Sequence, residues 1–240
     1  MSSTTSEIND ETPATTLAEL PGGPYDVEFF FDPTCPFAWQ TSQWMRRVVA
    51  LRGVRVGWRF ISLRVVNEAR DVTPQMVVAQ TRGLRYHRVC AAARHRFGND
   101  AVGALYEAWG ERYWYIDAEG TLPQRIATAA RAVDVHEILE SLELPDDLAD
   151  GADDLRWDAQ IRAETQAALR RTGPDVGTPI ITYDPPDGNS LFGPVISEVP
   201  DDEHALAFYD ALRTFVDFEG FSELKRSDRQ PLDLPLLKAS

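Results

Sequence analysis

Two cysteines are the only thiols in the chain, and Cys35 stands where a thiol could do chemistry. It follows the β-prone apolar run Val27-Glu28-Phe29-Phe30-Phe31 and a turn at Asp32-Pro33-Thr34, and Pro36 behind it suits the first position of a helix. A helix start offers unpaired N–H groups and the positive end of the helix dipole, which draw a cysteine pKa from about 8.5 down to about 3.5–7.5. The spacing therefore predicts a thiolate nucleophile at Cys35; the alternative is a small buried apolar cysteine. Cys90 lies within a run of helical period and is expected to be a core residue, out of disulfide range of Cys35.

Other chemistries find no support. No Gly-x-Gly-x-x-Gly follows a strand, and there is neither a phosphate loop nor a Gly-x-Ser-x-Gly elbow, so no flavin is expected. His87 and Cys90 share a helix face, but two ligands without a second pair do not make a metal centre, and no metal is expected. The acids from Asp146 to Asp158 are too dispersed for a Ca²⁺ loop. A formal net charge of -14 repels polyanions, which argues against sequence-independent nucleic-acid binding, and no nucleic-acid partner is expected. Twelve arginines between Arg46 and Arg96 meet only Glu68 and Asp71 in that stretch. They are expected to pair with acids elsewhere, the alternative being a surface that steers an anionic ligand.

The elements that must position Cys35 are legible around it. Trp44, Val48 and Leu51 recur at helical spacing and Gly53 stops them, which predicts a helix over 35–52. Val54, Val56, Trp58 and Phe60 then alternate with Arg55, Gly57 and Arg59 as a second strand, and the short crossover implies a parallel, right-handed pair. From Pro74 to Arg171 the period is helical throughout. Ile180-Ile181-Thr182-Tyr183, a turn, and Ser190-Leu191-Phe192 form a hairpin signal, and Ala205, Phe208, Tyr209 and Leu212 open a last amphipathic helix. The fold class is α/β, a small sheet-and-helix core split by an all-helical insertion between its second and third strands. The organisation expected is a disordered tail over 1–24, a core over 25–73 and 172–230, the insertion over 74–171, and a loosely packed C-terminal tail over 231–240. With 43% hydrophobic residues but no apolar run of about 18, a substantial core is available and no membrane span is expected. The cysteine count and the opening residues predict a cytoplasmic location.

Phe31-Asp32-Pro33-Thr34-Cys35-Pro36-Phe37-Ala38-Trp39 resembles the active-site segment of DsbA-like thioredoxin-fold proteins, in which Cys-Pro-x-Cys occupies the strand-to-helix corner. The stretches from Ser62 to Asp71, Gly177 to Pro179, Leu191 to Val195 and Phe221 to Arg226 are similar to the actinobacterial mycothiol-dependent nitroreductase branch of that class. The resemblance implies a thioredoxin-like core, Cys35 as attacking thiol, and a thiol- or substrate-binding surface of Pro36, Phe37, Trp39, Thr178, Pro179 and Phe192, with Pro179 cis. It departs at Ala38, where a dithiol pattern needs a second cysteine, so no resolving thiol exists in the motif.

The function expected is a monothiol oxidoreductase in which Cys35 works with a low-molecular-weight thiol, mycothiol by the resemblance, to reduce small electrophiles or nitroaromatics. One alternative is a kappa-type transferase or 2-hydroxychromene-2-carboxylate isomerase-like enzyme, in which a Ser commonly stands where Cys35 stands. The other is a redox-silent thioredoxin-fold protein that binds a partner beside Thr178-Pro179.

Overall fold

A computed structural model describes residues 17–238. Strand β1 (Val27–Phe31) enters helix α1 (Pro36–Arg52), and the chain returns in β2 (Val56–Phe60), parallel to β1. Gly53 adopts φ 72° and its N–H reaches Val49 O at 2.8 Å, which ends α1 one residue after Arg52. Strand β3 (Ile180–Tyr183) runs antiparallel on the other side of β1, and β4 (Ser190–Phe192) completes the order β2-β1-β3-β4. Helix α8 (Asp202–Asp217) packs on α1, and Trp44 Nε1 donates to Ala205 O at 3.1 Å. This is the thioredoxin-like core.

The helical block between β2 and β3 comprises α2 (Leu63–Val66), α3 (Pro74–Phe97), α4 (Asn99–Trp114), α5 (Leu122–Ala132), α6 (Val135–Ser141) and α7 (Asp158–Thr172), with 3-10 turns over Asp146–Asp153 and Leu155–Trp157. Thr73 caps α3, with Pro74 at its first position, and a Thr121–Gln124 capping box opens α5. The block also finishes the sheet. Trp58 N–H donates to Asn99 Oδ1 (2.7 Å), Phe60 N–H to Glu164 Oε2 (2.8 Å) and Ser62 N–H to Thr165 Oγ1 (2.9 Å). Asn99 Nδ2 donates back to Trp58 O (2.9 Å), so the outer edge of β2 is satisfied by side chains in place of a fifth strand.

Alternate β1 and β2 residues face α4, where the rings of Phe31 and Tyr106 stack at 3.9 Å and Trp58 and Trp39 meet Tyr106 edge-on. Glycines let the α4 backbone come this close. A Cβ at Gly110 would lie 2.1 Å from the Trp39 ring, and one at Gly103 would lie 2.5 Å from the Trp58 ring.

Within the described residues, segments 17–24 and 231–238 pack more closely than the disordered N-terminal tail and loosely packed C-terminal tail expected. Residues 1–16 lie outside the described region, but Leu20 is buried, Tyr25 Oη donates to Pro21 O, and Arg59 donates to Ala18 O. At the other end Leu234 and Leu236 enter the main core, and Asp233 N–H donates to Ser197 O at 2.9 Å. The alternation Leu232, Leu234, Leu236 supplies an apolar face that outweighs the adjacent prolines. Eight of the twelve arginines between Arg46 and Arg96 pair with acids, including Asp147, Asp153 and Asp158 of the dispersed acidic run. Pairing, not a free basic surface, accounts for the stretch. Among the described residues no helix is long and apolar enough to cross a membrane, and no three His, Cys, Asp or Glu side chains converge as a metal site.

Candidate active site

The turn between β1 and α1 is built by Asp32. Its Oδ1 accepts from Thr34 N–H (2.8 Å) and Thr34 Oγ1 (2.6 Å), and its Oδ2 accepts from Leu63 N–H (2.7 Å) at the start of α2. Cys35 N–H closes the turn on Asp32 O at 3.0 Å. Sequence reading took Asp32 only as part of a turn, although an Asp two residues before a Thr is itself a signal for this side-chain-locked geometry. Helix α3 crosses the turn so closely that a Cβ on Gly83 would sit 2.9 Å from Asp32 Oδ1 and 3.1 Å from Thr34 Cγ2.

Cys35 is the N-cap of α1, with φ -90° and ψ 114°. Its Sγ accepts from Ala38 N–H at 3.5 Å, and its thiol donates to Thr178 O at 3.4 Å. The Thr178–Pro179 bond is cis. Thr178 is anchored through its hydroxyl to Phe30 O (3.1 Å), and Pro179 O accepts from Gly193 N–H (2.9 Å), so β1 and the β4 loop jointly hold the carbonyl that faces the sulfur. Cys35, Thr178 and Pro179, the last two more than 140 positions along the chain, are thus brought together.

The expected thiolate is not what this environment favours. Cys35 is 8% exposed, and burial pushes its thiol up to about 12; the N–H groups of Ala38 and Phe37 pull the other way and nearby Asp32 pushes it further up. Desolvation of the anion outweighs the helix start, which sequence spacing alone cannot weigh. The aromatic members of the expected thiol- or substrate-binding surface divide. Phe192 is 40% exposed beside Pro179, and Phe37 is half-buried beneath the Arg229 guanidinium at 5.3 Å. Trp39 is fully buried against Tyr106 and Gly110 and belongs to the core, so it lines no surface. Pro36 starts α1 and is partly exposed.

Both cysteines are free and buried. Cys90 is fully enclosed within α3, where burial raises its thiol as well. His87, one turn earlier, sits with Nε2 3.0 Å from Phe31 O, where it holds a strand carbonyl, and burial lowers its pKa.

The Rv2466c-like family model, described as mycothiol-dependent nitroreductase Rv2466c, matches residues 34–226. The Mycobacterium tuberculosis (strain ATCC 25618 / H37Rv) protein named uncharacterized protein Rv2286c is 30% identical over 212 residues, covering 88% of this chain and 85% of that one. Among solved structures, Pseudomonas aeruginosa DsbA2 overlays with TM-score 0.46 at 18% identity, over 78% of this chain and 89% of that one. The cytosolic disulfide reductase DsbM of Pseudomonas aeruginosa gives 0.48 at 15% identity, over 78% and 98%. A 2-hydroxychromene-2-carboxylate isomerase gives 0.48 at 16% identity, over 78% and 94%.

Proposed function

We infer the function from one premise: the chain belongs to the Rv2466c-like family of mycothiol-dependent nitroreductases. It is a thiol-dependent oxidoreductase in which Cys35 is the nucleophile and a small thiol, mycothiol by family, supplies the reducing equivalents. The observation that carries this is the Cys35 thiol directed at Thr178 O, 3.4 Å away, with Pro179 next in the chain. A ligand sulfur that attacks or is attacked at Cys35 lies against that segment, and a carbonyl released from the thiol is free to accept from the ligand backbone or amide.

The cycle needs no second protein thiol. Cys35 thiolate attacks one sulfur of a disulfide, forming the Cys35 mixed disulfide and releasing the other sulfur as thiolate. An external small thiol then attacks the mixed disulfide, regenerating Cys35 thiolate and carrying off its partner in a new disulfide. Ala38 leaves that second step to solution, since position 38 offers no sulfur. Burial favours the protonated form of the resting thiol, so it must lose its proton when ligand or water reaches it. The Ala38 and Phe37 N–H groups then stabilise the anion that burial disfavours.

One observation favours a second reading. A buried thiol held well above its ordinary pKa suits a redox-silent thioredoxin-fold protein that binds a partner beside Thr178 and Pro179. Intact mass after incubation with oxidised mycothiol and oxidised glutathione separates the two. The enzyme reading expects an adduct that is absent from Cys35→Ser, larger with mycothiol. No adduct with either disulfide supports the binding protein.

A further inference from the structure

Beyond α8, residues 218–233 form a strap without helix or strand that returns to the start of α1. Its last part is fixed in place. Ser197 Oγ donates to Gln230 O (2.9 Å), Asp233 N–H donates to Ser197 O (2.9 Å), and Leu234 and Leu236 are buried. The segment that carries Ser197 is itself tied to α1, since Thr41 Oγ1 donates to Pro194 O at 2.7 Å. Arg229, one residue before the anchored Gln230, thereby carries its guanidinium over the Phe37 ring, 5.3 Å from the centroid. Phe37 is the second residue after Cys35, and its N–H is one of the two that favour a Cys35 anion.

The Arg229 guanidinium is exposed and its donors are not engaged. An aromatic face attracts the cation but leaves its N–H fork available. Among the described residues Arg229 makes neither an ion pair nor a hydrogen bond, its neighbour Asp228 included. In the same C-terminal segment Lys225 pairs with Glu223 and Lys238 with Asp233. Asp32, the acid of the Cys35 turn, is already taken up by Thr34 and Leu63. In a chain of net charge -14, a free guanidinium next to the nucleophile is a local exception. Its planar fork suits a carboxylate, which it can hold through two parallel hydrogen bonds. The rest of a ligand meets aromatic surface on half-buried Phe37 and on Phe192, which pairs with Ile180 next to Pro179. Arg229 also lies past residue 226, where the family match ends, so membership of the family does not supply it.

We propose that Arg229 is a specificity-determining residue of the Cys35 site, directing it to aromatic disulfides that carry a carboxylate; this rests on Cys35 being the nucleophile. In the step concerned the Cys35 thiol gives its proton to solvent and its sulfur attacks one sulfur of the disulfide. The S–S bond breaks, one half stays on Cys35 as a mixed disulfide, and the other leaves as the aryl thiolate. The probes are dithiobis(nitrobenzoate), with a carboxylate on each ring, and neutral dithiodipyridine. Release of each chromophore is followed with the full-length protein at about pH 8, and the Cys35→Ser rate is subtracted. Arg229→Gln should slow the carboxylate probe about fivefold, the upper range for one exposed ion pair, and leave dithiodipyridine within about twofold. Arg229→Glu should slow the carboxylate probe further. Arg96→Gln removes the same charge roughly 20 Å along α3 from Gly83 at the Cys35 turn, and should leave both rates unchanged. Equal slowing of both probes in Arg229→Gln, slowing of neither, or the same slowing in Arg96→Gln overturns the proposal, while a wild-type reaction with dithiodipyridine still keeps Cys35 as nucleophile. Wild type no faster than Cys35→Ser with both probes overturns the nucleophile itself, and the proposal with it.

Discussion

Alkylation of Cys35 in the folded protein decides which of two opposed effects governs the thiol. Left to its place at the start of α1, the sulfur would ionise readily; buried as it is, it stands at about 12 against 9.0 for an ordinary thiol. Each pKa step is tenfold, or 1.36 kcal/mol, so the folded site holds about a thousandfold less thiolate near neutral pH than the unfolded chain does. Only the thiolate reacts with iodoacetamide. Labelling of Cys35, followed by peptide mass, should therefore run about a thousandfold more slowly in native than in urea-unfolded protein. Its rate should still be climbing at about pH 10, where a free thiol has levelled off. Mycothiol disulfide, if it enters the site, should protect or consume Cys35 and leave Cys90 untouched. Rapid labelling of native Cys35 at about pH 6, or a rate that levels below about pH 8, would refute the reasoning. Either result would mean that the N–H groups of Ala38 and Phe37 outweigh desolvation.

The same burial makes a prediction for stability. Between about pH 9 and 10 the unfolded chain gives up thiol protons that folded Cys35 and Cys90 retain, so stability should fall by about 1 kcal/mol per thiol over that pH unit. Urea midpoints should show this, with a slope that decreases in Cys90→Ala. Ala38→Cys should create a resolving pair, so that the Cys35 adduct is released without added thiol; an adduct that persists in this variant would exclude the exchange geometry assumed for α1. Gly110→Ala forces a methyl to 2.1–2.5 Å from Trp39 ring carbons. That overpacking should cost about 1–3 kcal/mol and lower the melting temperature by roughly 2–12 °C. Gly177→Ala, with nothing within 4 Å of the new Cβ, should melt within about 2 °C of wild type. Equal melting of the two variants would contradict the packing described for α4.

The frame of the molecule was legible because its signals are local. The run Val27–Phe31, the turn, Pro36 and the stop at Gly53 define β1 and α1 without reference to the rest of the chain. The helical period of residues 74–171 is likewise a property of neighbours. What escaped depends on contacts between distant residues. The depth at which Cys35 lies cannot be read from its own helix, because its surroundings come from Thr178, more than a hundred residues on, and from the turn that α3 crosses at Gly83. Trp39 is expected on the binding surface because it follows the motif; the approach of α4 at Gly110 shows it to be core. The acids at Asp147, Asp153 and Asp158 carry no ligand spacing because their partners are Arg96, Arg85 and Arg88, each presented by α3.

The side chains along the outer rim of β2 carry a consequence for how the chain can be divided. Asn99, Glu164 and Thr165 act together as a missing strand, although they come from two helices 65 residues apart. Excising residues 74–171 to leave a minimal sheet would expose the strand N–H groups of Trp58 and Phe60, and that of Ser62 just beyond the strand, a template on which another copy of the chain can pair. The helices therefore also protect the protein from its own aggregation. A nascent chain that has made β1 and β2 stays exposed to that hazard until Thr165 has been synthesised and docked. Lengthening or trimming of the block is tolerable only where it leaves the reach of those three side chains unchanged.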